Sequence, residues 1–242
     1  MNSAAARELG RRMSLSVSKG DIDGAFAMVE ARLAERIPFP TMGLVGAGLG
    51  DCPMTKLDQL LDRIAATAAE GGWVLIGAAL KEQLRTKPLA GLAGRCRGYI
   101  EQADVWCASD ILAERVPGPS LLVRFKETLD ILGAWSEDPN RWVRRAVGVA
   151  IHHWAKNAAG RRDDEARRLL TLLEPLFEER EIDAVKGVGW GLKTLGKHYP
   201  DLLGAWLVEQ VGVKAYRALM LQKALTYLPA RAKGDVKRAA AR

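Results

Sequence analysis

The segment RWVRRAVGVAIHHWAK, residues 141–156, brings Val143, Ala146, Val147, Ala150, Ile151 and Trp154 together at spacings of three and four. An α-helix gathers such positions on one side, so the segment reads as a helix with a broad apolar face. Two consecutive arginines, Arg144 and Arg145, interrupt it. Neighbouring side chains leave a helix in different directions, so the pair cannot both face water or both face the core. Forty-one residues on, DAVKGVGWGLKTLGK (183–197) repeats the arrangement, with Lys186 in the place of Arg145. KAYRALMLQKALTYL (214–228) offers Arg217 in the same role, 31 residues further. The second copy also sets Gly187, Gly189 and Gly191 around Trp190. Glycine in a helix costs up to about 1 kcal/mol relative to alanine. Three so close imply tight helix packing or a ligand against the backbone, and packing is the more general cause.

The rest of the chain shares this periodicity. DQLLDRIAATAAE (58–70), SLLVRFKETLDILGAW (120–135) and DDEARRLLTLLEPLFEE (163–179) all carry helical apolar spacing. Ser120 and Asn140 stand where N-caps belong. Gly160, Pro200 and Gly212 punctuate the remaining segments. No run alternates as a strand would, and the expected class is all-α. Two helices per unit of this length is the mark of HEAT-like repeats. Such repeats stack into a curved solenoid with a concave surface, here expected to form a basic cleft. A compact irregular bundle is the structural alternative. The expected organisation is one HEAT-like domain over residues 1–229. Its first 48 residues would be divergent helices and a loop, IPFPTMGLVGAGLG (37–50), and a basic disordered tail would cover 230–242.

Charge is distributed unevenly. Residues 1–120 carry 14 basic and 14 acidic side chains, whereas residues 121–242 carry 22 and 15, the whole net charge of +7. A basic half points to a polyanionic partner or to a solvated basic surface. The three cysteines, Cys52, Cys96 and Cys107, form no CxxC, and His152 and His153 are adjacent rather than one helical turn apart. Neither a disulfide framework nor a metal site is expected, and no cofactor. The most apolar windows fall short of the roughly 20 residues a bilayer requires. No signal-peptide pattern opens the chain. A monomeric cytoplasmic protein is expected.

One further stretch, DVWCASDIL (104–112), reads as the interior of a helix and puts Trp106 and Asp110 four residues apart on one face. Taken singly, such residues are ordinary: a tryptophan is usually core and an aspartate usually a cap or a surface charge. Together with two later elements they carry a resemblance. WCASDI (106–111) matches a W-x-x-x-D element, DPNRWVRRA (138–146) an N-x-W-x-x-R element, and VKGVGWGLK (185–193) a K-x-x-G-W element. In this order and spacing they resemble the bacterial DNA alkylation repair glycosylases built from HEAT-like repeats, the AlkD type. The similarity extends from about Leu49 and is clearest over 100–228.

The resemblance implies excision of cationic N3- and N7-alkylated purines from duplex DNA, without extrusion of the base into a deep pocket. It implies Asp110 near the anomeric carbon, Trp106 and Trp190 against the DNA backbone, and Arg145 on a phosphate. Arg144, Lys186, Lys193 and Arg217 are candidates for further phosphate contacts. The N-terminal region departs from the family. Gly50-Asp51-Cys52-Pro53 is followed by a single Lys56 rather than consecutive basic residues, and the N-terminal aromatic has no clear counterpart. Two other functions fit a helical array: a non-catalytic relative that binds branched or damaged DNA, and a protein-interaction solenoid.

Overall fold

The computed structural model describes residues 1–241, and among them the chain is helical with no strand. The first seven helices are α1 (Ser3–Lys19), α2 (Ile22–Leu33), α3 (Phe39–Ala47), α4 (Met54–Ala66), α5 (Glu70–Gln83), α6 (Leu89–Ala103) and α7 (Trp106–Ala113). They form one unit, Met1–Val116. A second unit begins at Pro117. It holds α8 (Pro117–Val123), α9 (Phe125–Ser136), α10 (Arg141–Ala158), α11 (Asp163–Leu173), α12 (Ile182–His198), α13 (Pro200–Val211), α14 (Ala218–Ala224) and α15 (Ala230–Ala240). A 3-10 turn at Pro175–Glu178 follows α11. No helix is long and apolar enough to cross a membrane.

Within each unit, helices two apart in sequence lie side by side. In the first, α1, α3, α5 and α7 pack in succession, with α2 on α4 beside them. In the second, α8, α10, α12 and α14 make one layer and α9, α11, α13 and α15 the other. This is the pairing expected of HEAT-like repeats, and it explains the step from Arg145 to Lys186: α10 and α12 are adjacent in one layer.

Local chemistry sets the boundaries. The side chains of Asn2, Asp21 and Asn140 accept hydrogen bonds from Ala5, Gly24 and Trp142 N–H respectively, capping α1, α2 and α10. α10 stops where Ala159 and Gly160 both turn left-handed, at φ 51° and 77°. Pro200 opens α13 and Gly212 closes it.

Several segments differ from their reading in the sequence. The run 120–135 is two helices, split at Arg124 (φ −135°, ψ 49°). Ser120 is buried inside α8 rather than capping a helix. Val123 is 77 % exposed, so nothing would be buried by carrying the helix on through it. IPFPTMGLVGAGLG is not a loop: α3 occupies most of it and buries Met42 and Val45. Two prolines suit its first turn, where N–H groups have no partner in the helix. The helix expected over 214–228 begins only at Ala218, because Glu178 accepts the Ala215 N–H at 3.3 Å and Lys214 donates to the Glu174 carbonyl at 3.2 Å. Residues 230–240, read as part of a disordered tail, form α15 on α13 with Val236 buried.

The α10–α12 contact is the tightest seam in the second unit. A Cβ at Gly148 would overlap the backbone of Gly187 and Val188. One at Gly191 would come within 2.6 Å of the Gly148 carbonyl oxygen, and one at Gly187 within 2.6 Å of the Arg145 oxygen. The glycine cluster around Trp190 is thus a packing device.

Candidate nucleic-acid interface

In the first unit the candidates lie on α7. Its start comes from a break that helical periodicity conceals. Asp104 ends α6 in the left-handed region (φ 44°, ψ 37°), and Val105 is extended. Aspartate is among the few non-glycine residues that tolerate that conformation. DVWCASDIL is therefore a junction and a new helix, not a helix interior. Trp106 is its first residue and is 56 % exposed, while Ala108, Ser109, Ile111 and Leu112 are buried. Asp110 follows one turn later on the same side, half-buried. Cys107 between them is also half-buried. Burial first, then the carboxylates of Glu70 and Asp110, pushes its thiol pKa upward, so no reactive thiolate forms there.

In the second unit the candidates fall on the α8–α10–α12–α14 layer, and the structure assigns them different tasks. Arg144 is spent on architecture. Its guanidinium pairs with Glu179 (Nε to Oε2, 2.5 Å) and donates to the carbonyls of Asp138 (2.7 Å) and Pro139 (2.9 Å). That pairing holds the Glu179 carboxyl below its usual range, against its burial. Arg217 similarly donates to the Arg180 carbonyl at 2.5 Å. Arg145 turns the other way, is 7 % exposed, and donates to the Asp183 carbonyl at 2.9 Å.

Lys186, Trp190 and Lys193 follow one another at steps of four and three along α12, and so share a face. Lys186 is exposed and 3.6 Å from Asp183, a pair that water screens to little net value. Trp190 is half-buried and stacks on the imidazole of His152, ring centres 4.0 Å apart and planes 27° from parallel. Thr194 Oγ1 lies 3.1 Å from the Trp190 carbonyl oxygen and 2.7 Å from His152 Nδ1, and so ties the imidazole to α12. The tie makes the imidazole a backing for the indole.

In the sequence His152 is only half of an unsuitable metal pair; its contact with α12, 42 residues away, reveals its place. Burial, with help from Lys156, His153, His198 and Lys193, lowers its pKa from 6.5 to about 4. Above pH 6.5 it is neutral whether the chain is folded or not. Below that, the unfolded chain binds a proton that the folded one refuses until about pH 4, so stability falls as pH drops through this window. The thermal midpoint should therefore fall more steeply between these limits in the wild type than in His152→Gln.

Lys223, on α14, completes a group of cations. Its ammonium pKa is lowered by burial and then by Lys193, Arg145 and Lys186. Such convergence of like charge opposes folding and is suited to an anion. Among the described residues, no cluster of three or more His, Cys, Asp or Glu could hold a metal ion.

Comparison with known proteins adds one finding. A family model described as DNA alkylation repair enzyme matches residues 64–228, a span that contains every residue of α7, α10 and α12 discussed above. No curated protein and no solved structure gave a match.

Proposed function

The chain belongs to the DNA alkylation repair enzyme family, and on that premise we propose that it is a DNA glycosylase acting on cationic N3- and N7-alkylated purines in duplex DNA. The observation that carries this reading is the pair on α7: an indole open to solvent, with a carboxylate one turn behind it. An alkylated purine already bears a positive charge. When the bond from C1′ to the base nitrogen breaks, its electron pair neutralises the departing base, which needs no proton. Positive charge then develops on the sugar. Water adds to C1′ and gives up one proton. A fixed carboxylate at Asp110 favours both events, by stabilising the oxocarbenium-like sugar and by orienting the water.

The other residues hold the DNA. The indole faces of Trp106 and Trp190 suit cations and the CH-rich edges of sugars. Arg145, 7 % exposed and bonded to the Asp183 carbonyl, adds its positive charge to the phosphate site from beneath the surface, and Lys186 and Lys193 contribute point charges along α12. Arg144 and Arg217 act indirectly, by fixing the segments that flank α10 and α14.

The test is release of 7-methylguanine and 3-methyladenine from methylated duplex DNA. Both or either should be released faster than in the protein-free control. Release at the spontaneous rate sinks the proposal. Salt-dependent binding without release would identify a non-catalytic DNA-binding relative, and no binding at low salt would identify a protein-interaction array.

A further inference from the structure

The basic stripe of α12 does not end at Lys193. Lys197 follows four residues later, so Lys186, Trp190, Lys193 and Lys197 keep to one side of the helix. Beyond them lies Tyr227, in the turn after α14, an aromatic that is 49 % exposed. The Lys193 ammonium is 5.2 Å from the centre of its ring and the Lys197 ammonium 5.8 Å. Lys223 adds a third cation to the neighbourhood of Lys193. Among the described residues, none of these three lysines forms an ion pair with a carboxylate.

Two ammonium groups drawn to one ring repel each other. Each attraction to the ring is worth about 0.5–1 kcal/mol at an exposed site, and it holds the two charges close instead of letting them disperse. An oxyanion placed between the ammoniums turns that repulsion into binding. From Trp190 to Lys197 the helix rises about 10 Å, at 1.5 Å per residue. Lys193 stands about 4.5 Å along the helix from Trp190 on the same scale, and a DNA strand carries one phosphate per about 3.4 Å of axis, so the two lysines are spaced to meet different phosphates.

We propose that Lys193, Lys197 and Tyr227 form a backbone clamp that grips phosphates of duplex DNA, with the tyrosine ring holding the lysines in place. The clamp rests on the reading of this chain as a DNA glycosylase. It adds Lys197 and Tyr227 to the binding surface and makes the contact independent of sequence and of the lesion itself.

The experiment is a salt titration of binding to an undamaged, fluorescently labelled duplex, by anisotropy, with the full chain. Each phosphate contact contributes about 0.9 to the slope of log affinity against log salt. The double variant Lys193→Gln/Lys197→Gln should lower that slope by about 1.8. Tyr227→Phe should bind as the wild type does, whereas Tyr227→Leu, which removes the ring, should weaken binding several-fold. The control is Arg231→Gln/Lys237→Gln on α15, equal in charge lost but on the other layer. The clamp is overturned if the double variant keeps the wild-type slope, if the control lowers it equally, or if Tyr227→Leu binds normally. Wild-type release of alkylated bases alongside any of those results would leave the glycosylase reading standing. A wild type that binds no duplex removes both.

Discussion

Replacing Asp110 with asparagine should lower the rate of base release by about 10²–10³-fold, the usual effect of removing one preorganised charge from a transition state. The substitution keeps the shape of the side chain, removes its negative charge and exchanges one acceptor oxygen for an NH2 donor. On the proposed reading duplex binding rests on cations and indoles elsewhere, so affinity should be unchanged. Single-turnover release from methylated duplex, together with anisotropy on the same DNA, separates the two. A rate that falls by less than about tenfold would remove Asp110 from the chemistry. A matched loss of binding would make it a structural residue of α7 instead.

The second large effect concerns the seam between α10 and α12. Gly148→Val should destabilise the protein by about 3 kcal/mol or more, near or beyond the upper end of ordinary overpacking. The new Cβ meets the backbone of Gly187 and Val188 rather than the end of a flexible side chain, so the helices themselves must separate. For a chain of this size the thermal midpoint should drop by roughly 6–12 °C. Gly94→Ala is the control. Position 94 is exposed within α6 and a Cβ there would meet nothing within 4 Å, so that variant should be stabilised by up to about 1 kcal/mol. A Gly148→Val variant that melts with the wild type would mean that the seam can open without cost.

The layered packing was legible because it leaves a periodic trace. Arg145 and Lys186 recur at 41 residues since α10 and α12 are neighbours in one layer, and the glycines of 187–191 announce their contact. Features that depend on a single backbone angle leave no such trace. Asp104 ends α6 through its left-handed conformation, and helical spacing runs across that break uninterrupted. Side-chain partners distant in sequence were equally hidden. Arg144 belongs to Glu179, 35 residues away, and without that carboxylate in view it reads as one more phosphate ligand. His152 and Tyr227 acquire meaning only from the α12 side chains that the fold sets against them.

The same seam bears on how such a sequence can drift. A clash between side chains has a remedy, since trimming one partner restores the fit, and Arg144 and Glu179 could be exchanged through such intermediates. At Gly148 and Gly191 the opposing atoms are main chain, which no second substitution can shorten. Mutational paths through these positions are closed, while an exposed cation on α12 such as Lys186 meets no such constraint. The rigid seam is what lets the charged surface above it vary without the two helices changing their relation.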